Sequence, residues 1–276
     1  MKDLDGKNVV VTGGSYGMGK EIARAFLKEG SNVFTIARNK EKLDASVEEL
    51  NKDAKKGRRV RGYPSDVTDR EGITDTIDRI ASGEGGIDVL INNAGIVIPG
   101  YFEDLTLDDF ETVLRTNYLG AVYTIKAALP YLLKHKESAI SITSSIVGIK
   151  GIFGYSTYAP TKFALIGLAE VLRSELRVKG VQVSVLLPPD TDTPGFKEEK
   201  LVRPLETDVI GGTAGLMPPE ELAERFMCGF KKGKFLIICE LTGKILCRMN
   251  GISRLFVDFY LDRLVAKGRR QKAKIG

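Results

Sequence analysis

The sequence predicts a doubly wound α/β fold, a mostly parallel seven-stranded sheet with helices on both faces, and three observations carry that prediction. Short β-branched runs alternate with longer segments of helical periodicity, the pattern of parallel strands joined by crossover helices. A glycine-rich turn follows the first run directly. The chain has 276 residues, 43% of them hydrophobic, enough to bury a large core as one α/β domain.

The expected strands are Asn8–Thr12, Asn32–Ala37, Arg59–Tyr63, Ile87–Ile91, Ala139–Thr143, Gln182–Leu187 and Phe235–Cys239. Between the first two, Ile22, Ala23, Phe26 and Leu27 recur at helical spacing, and Gly30 supplies the C-terminal stop. Another helix opens at Thr106, where Thr106-Leu107-Asp108-Asp109 has the form of a capping box with aspartate in the glutamate position. A third is expected from about Ser156 to Lys179, ending at Gly180. Pro188 to Met217 is the only long irregular stretch, and a loop of that length in a compact domain is usually functional.

These elements assign residues 1–245 to one domain, with 188–217 as its substrate loop, and 246–276 to a C-terminal amphipathic helix and basic tail. Ile252, Leu255, Phe256, Phe259 and Leu264, with Tyr260 nearby, fall close to one helical face. Lys267, Arg269, Arg270, Lys272 and Lys274 follow. Such a segment suits either peripheral contact with a membrane surface or packing on its own domain or a second subunit.

Composition removes several function classes. Cys228, Cys239 and Cys247 lack metal-ligand and redox spacing, and read as reduced thiols. The single histidine, His135, sits in a charged stretch, so histidine triads and metal sites are not expected. No signal segment and no run of spanning length is evident, and the expectation is a cytoplasmic protein, at most peripheral to a membrane. The net charge is +5, but six basic residues against one acidic in 262–276 account for all of it. The rest of the chain is near neutral, which argues against a nucleic-acid partner.

The segment Thr12-Gly13-Gly14-Ser15-Tyr16-Gly17-Met18-Gly19 stands between the first strand and the first helix, the context a dinucleotide fingerprint requires. Glycines let the backbone approach a pyrophosphate, and the free N–H groups at the helix start favour its charge. The second strand ends Thr35-Ile36-Ala37-Arg38, with no carboxylate for a ribose 2′-hydroxyl. Arg38 can pair with a 2′-phosphate instead, which selects NADPH/NADP.

Tyr158 and Lys162 are four apart on an expected helix and share a face. A lysine charge beside the phenol favours phenolate and fits tyrosine for acid–base work. Ser145 follows the fifth strand and Asn92-Asn93-Ala94-Gly95 follows the fourth. Both lie at strand carboxyl ends, where open α/β sheets bind ligands.

With these residues in register, the chain from about Leu4 to Cys239 resembles the short-chain dehydrogenase/reductase family. The motifs are the Thr12–Gly19 loop, Asp66-Val67-Thr68, Asn92–Gly95, Asn117, Ser145 and Tyr158-Ala159-Pro160-Thr161-Lys162. The resemblance implies a Rossmann-type sheet and a catalytic set of Asn117, Ser145, Tyr158 and Lys162. Tyr158 would exchange the proton with the substrate oxygen, Lys162 would lower its pKa and hold the nicotinamide ribose, Ser145 would bond the carbonyl, and Asn117 would support a water chain to Lys162. The cofactor would lie against Gly13, Ser15, Tyr16, Gly17, Met18, Gly19, Arg38, Asp66, Val67, Asn92, Ala94, Gly95, Tyr158, Lys162, Pro188, Thr191 and Thr193. A homo-oligomer, dimer or tetramer, is implied as well.

One departure is Pro189, where the family has a glycine. Leu187–Phe196, Arg203-Pro204-Leu205-Glu206-Thr207 and Asn117-Tyr118-Leu119-Gly120 are similar to the subgroup that reduces the long-chain ketone 3-ketodihydrosphingosine with NADPH. Eukaryotic members of that subgroup carry membrane-anchoring segments, and none is expected from this sequence. The alternatives are a reductase of another bulky apolar ketone, such as a steroid or 3-ketoacyl compound, and a non-catalytic NADP-binding protein.

Overall fold

The computed structural model describes residues 1–212, 215–241, 243–244, 247 and 254–275, with the side chains of 254–259, 261 and 273–275 excepted. Seven strands, β1 (Asn8–Thr12), β2 (Asn32–Ala37), β3 (Val60–Pro64), β4 (Val89–Asn92), β5 (Ser138–Thr143), β6 (Val181–Leu187) and β7 (Leu236–Ile238), form one sheet in the order β3-β2-β1-β4-β5-β6-β7. Every pairing is parallel, so the "mostly parallel" expectation is met in full. The strand order reverses beside β1, where the chain leaves β3 and re-enters the sheet at β4. That reversal opens the crevice in which doubly wound folds bind ligands.

Alternation along β1 divides the core. Val9 and Val11 face one layer, with helices α1 (Gly17–Lys28) and α9 (Pro219–Lys231), where Phe26, Phe226 and Phe230 meet edge to face or tilted. Val10 faces the other, formed by α3 (Arg70–Glu84), α5 (Gly120–Leu132) and α6 (Ala159–Leu176). Truncating one of these fully buried rings would cost about 3–5 kcal/mol. Of the remaining helices, α2 (Lys40–Asn51) lies along β2 and β3, and α4 (Leu107–Leu114) precedes α5.

The capping box at α4 forms as expected. Asp109 N–H donates to Thr106 Oγ1 at 3.2 Å, and Thr106 N–H donates to Asp109 Oδ2 at 2.8 Å. The hydrogen bonds from Thr106 hold the Asp109 carboxyl below its usual range. Helix α6 starts at Ala159 rather than near Ser156, because Pro160 is tolerated only in a first turn. It ends through a 3₁₀ turn at Gly180, as expected.

The 188–217 stretch is irregular only in part among its described residues. It holds α7 (Pro194–Lys200) and α8 (Leu205–Gly211), and Thr191 bridges to Met217. Thr193 caps α7 by accepting from Phe196 N–H at 3.1 Å, with Pro194 in the first turn. Both helices are seven residues long, too short for a periodicity to register.

The last helix, α10 (Arg254–Ile275), packs on α8. A Cβ at Gly268 would stand 2.7 Å from Glu206 Cα, so the two backbones touch where only glycine fits. The apolar face expected on Ile252, Leu255, Phe256 and Phe259 lies outside the described side chains. No helix among the described residues is long and apolar enough to cross a membrane. The three cysteines are free, and burial pushes the Cys239 thiol up to about 11.

Candidate active site

The carboxyl ends of β1, β4, β5 and β6 converge on one cleft. Thr12, the last residue of β1, fastens the first two ends together: its Oγ1 accepts from Asn93 N–H at 3.0 Å and from Ala94 N–H at 3.1 Å. The glycine loop then turns back beneath Asn93. Gly13 and Gly17 have φ of +68° and +58°, a left-handed conformation that side chains disfavour. At Gly19 a Cβ would lie 2.2 Å from Gly13 O, a separation no real side chain shows. Thr193, from beyond β6, packs against Gly17, its methyl 3.0 Å from where a Cβ would be.

This end fits a dinucleotide. Asn93 Oδ1 is a buried acceptor with no partner among the described residues, and the glycines leave a cradle that any Cβ would fill. Ser15 is buried at the helix entrance, Met18 lies behind it, and Tyr16 stands half exposed with Lys42 over its ring. Arg38 is exposed at the end of β2, its Nη1 3.7 Å from Asp66 Oδ2. Asp66 Oδ1 accepts from Thr68 N–H and Thr68 Oγ1, both at 2.9 Å, which fixes the carboxylate and leads into buried Val67.

Asn92 lies at the same cleft, but its side chain has a structural partner: Nδ2 donates to Ala121 O at 3.0 Å and ties α5 to β4. Pro188 O accepts from Ile146 N–H at 3.3 Å, joining the ends of β5 and β6, and Thr191 Oγ1 donates to Pro189 O at 2.9 Å.

Asn117 sits in a π-helical turn, Arg115–Leu119, between α4 and α5. Such turns inside α-helices frequently mark functional positions. Its Nδ2 donates to Ile96 O at 2.9 Å and Thr161 Oγ1 at 3.1 Å, and its Oδ1 accepts from Ile96 N–H at 2.8 Å. Exposed Gly95 is where Asn117 and Lys162 approach each other: a Cβ there would be 3.2 Å from Asn117 Oδ1 and 3.4 Å from Lys162 Nζ.

Lys162 is 3% exposed, with Nζ donating to Thr143 O at 3.0 Å and lying 5.3 Å from the Tyr158 ring centroid. Burial lowers its pKa to about 8. Ser145 caps the 3₁₀ turn Ile146–Gly148, accepting from Val147 N–H at 3.3 Å, and its side chain hydrogen-bonds Tyr158. The expectation that Lys162 depresses the phenol pKa is not met. Burial pushes Tyr158 up, the Glu199 and Asp190 charges push it further, and only the Ser145 hydrogen bond pulls it down. Desolvation decides the direction because burial disfavours the phenolate and the nearby Glu199 and Asp190 carboxylates oppose a second negative charge.

Sequence reasoning missed the Thr12 clasp, Asn93 and a network beside Tyr158. Tyr155, its ring centroid 5.7 Å from that of Tyr158, donates its hydroxyl to Glu199, which in turn faces Arg203. The adjacent asparagines Asn92-Asn93 are the signal for Asn93, and nothing in the local sequence says which of the two faces the glycine loop.

The fold and site define an oxidoreductase of the open α/β class, with a tyrosine, a lysine and a serine gathered at strand ends beside a dinucleotide cradle. More narrowly, the chain belongs to the short chain dehydrogenase family, whose profile matches residues 7–202. A 3-ketodihydrosphingosine reductase of Dictyostelium discoideum is 38% identical over 280 residues, covering 95% of this chain and 83% of the relative. The one from Mus musculus is also 38% identical, covering 98% and 89%. A short chain dehydrogenase of Burkholderia cenocepacia, solved in complex with NADP, superposes with a TM-score of 0.74 at 27% identity, covering 86% of this chain and 97% of that one.

Proposed function

We propose that the protein reduces 3-ketodihydrosphingosine to dihydrosphingosine with NADPH, a step of sphingolipid synthesis. The observation that carries this reading is similarity to reductases of that ketone across nearly the whole chain, including residues past 202, where the family profile ends.

The bound cofactor supplies the hydride. Tyr158 supplies the proton: its raised pKa keeps the phenol loaded at neutral pH, the state a ketone reduction consumes. Ser145, hydrogen-bonded to Tyr158, is placed to donate to the ketone oxygen as negative charge develops there. Lys162, charged below a pH of about 8 and 5.3 Å from the Tyr158 ring centroid, is placed to hold the nicotinamide ribose. Asn117 holds the Ile96 backbone at the cleft edge and lies beside Gly95 with Lys162. The glycine loop, Asp66, Val67, Asn92, Ala94, Gly95, Pro188, Thr191 and Thr193 bound the cofactor cleft, and Arg38 reads the 2′-phosphate.

Arg38→Ala should weaken NADPH binding by about 1.5–3 kcal/mol, the scale of hydrogen bonds to charged groups, and leave NADH nearly unaffected. Titration of cofactor fluorescence checks this, and equal losses for both cofactors would make Arg38 a support of the fold only. The substrate reading is tested by NADPH oxidation with 3-ketodihydrosphingosine, a steroid ketone and a 3-ketoacyl thioester. Turnover of the first is expected, and activity confined to the others would overturn the assignment.

The catalytic body is read as 1–245, with 246–276 as its appendage, in a cytoplasmic homo-oligomer that touches a membrane surface peripherally. Exposed Leu114, Phe163 and Val171, on α4 and α6, support association of copies. Lys267 and Arg270, exposed on α10, support attraction to anionic lipid.

A further inference from the structure

This inference rests on the reading of the protein as a 3-ketodihydrosphingosine reductase, and concerns what the site recognises besides the ketone. In that compound the carbon next to the ketone carries an amine, protonated in water below a pH of about 7.7 if it titrates like an α-amino group. A neutral cleft would have to desolvate that cation without compensation.

The substrate loop places a charged network against the reacting phenol. Arg203, in the turn between α7 and α8, has a side chain only 4% exposed. Its Nη1 lies 3.5 Å from Asp190 Oδ2 and 3.6 Å from Glu199 Oε1, Asp208 accepts from its Nε, and its guanidinium carbon sits 5.1 Å from the Phe196 ring centroid. Glu199 accepts from the Tyr155 hydroxyl, and the Tyr155 ring is 5.7 Å from that of Tyr158, centroid to centroid. Three carboxylates thus share one guanidinium, with Lys200 and Glu240 also facing Asp190. Burial raises both the Glu199 and the Asp190 carboxyl, so their charges are under-compensated in the protein alone.

We propose that Glu199, held in place by Arg203, is a specificity-determining residue: its carboxylate favours a ketone with a protonated amine on the neighbouring carbon over one whose neighbouring group is neutral. Glu199 acts on the cation, and Arg203 is a positioning residue that acts through Glu199. The ketone chemistry itself stays with Ser145 and Tyr158. The network supplies the charge that makes one ketone a better fit than its uncharged counterpart.

The test is the ratio of kcat/KM for 3-ketodihydrosphingosine over its N-acetyl derivative, which has the same chain and ketone without the charge. The wild-type ratio should be at least about tenfold, the effect of one hydrogen bond to a charged group. In Glu199→Gln it should fall to within about twofold of unity, mainly through a higher KM for the free amine. Arg203→Met should lose the preference likewise, and Arg203→Lys should restore part of it. A merely structural role would lower both substrates together and leave the ratio alone.

The wild-type ratio against pH is a second measurement that needs no variant: it falls in acid as Glu199 takes up a proton, and in alkali as the amine loses one. Tyr155, Tyr158, Arg203 and Asp190 face Glu199, and of these only Asp190 also titrates in acid, so Asp190→Asn separates its share. A wild-type ratio near unity, or an unchanged ratio in a Glu199→Gln protein that binds NADPH, would overturn the proposal. Wild-type protein that binds NADPH but reduces neither ketone would instead overturn the reductase reading beneath it.

Discussion

Replacing Tyr158 with phenylalanine should lower ketone turnover by about 100-fold or more while NADPH still binds. The substitution keeps the ring, and with it the contact to Tyr155 at 5.7 Å and to Lys162 at 5.3 Å, but removes the hydroxyl that Ser145 engages. The neighbouring phenol does not take over. Tyr155 is committed to Glu199, and burial together with that carboxylate pushes its phenol far up. Single-turnover NADPH oxidation and cofactor fluorescence measure the two quantities separately. A variant that keeps most of its turnover would remove Tyr158 from the proton-transfer role.

A second large effect is expected from Gly19→Ala. The added Cβ would meet Gly13 O at 2.2 Å and Asn93 Nδ2 at 2.5 Å, and the first of these is backbone that cannot swing aside. The glycine loop must therefore shift away from β4. A misplacement approaching an ångström is enough to cost about 100-fold in a positioned site, and NADPH affinity should fall on that scale. Gly83→Ala is the control. Nothing lies within 4 Å of its would-be Cβ, and it stands inside α3, so it should leave NADPH affinity unchanged and stabilise the protein by about 0.5–1 kcal/mol. Comparable losses of affinity in both variants would detach the effect from the Gly13–Gly19 contact.

Features written in local sequence were legible before the fold was known. All seven strands were placed within two residues at each end, because a buried parallel strand is a short apolar run bounded by turns. The positions of Ser145, Tyr158 and Lys162 followed from strand ends and helical spacing. What escaped depends on distance through space. Arg203 and Asp190 are 13 residues apart and Tyr155 and Glu199 are 44 apart, and no periodicity links them. The phenol pKa escapes for a related reason: spacing reveals that a lysine is near, but burial of the phenol and the carboxylates of the 188–217 segment decide which way it moves.

The Thr12 clasp has a consequence for how the molecule is assembled. The pairs β1–β2 and β2–β3 join neighbours in the chain, whereas β1 meets β4 only after a span of 80 residues has been closed. Long-range parallel pairing is slow because loop-closure entropy must be met before the contacts reward it. That same seam carries the hydrogen bonds from Asn93 and Ala94 to Thr12, and it supplies the floor on which Gly13 rests, its would-be Cβ 3.0 Å from Ala94 Cα. The cofactor cradle therefore does not exist in a chain that has folded only its first three strands. Nucleotide binding is gained when the two halves of the sheet zip together, and a ligand that binds only the closed seam stabilises the slowest-forming junction in the fold.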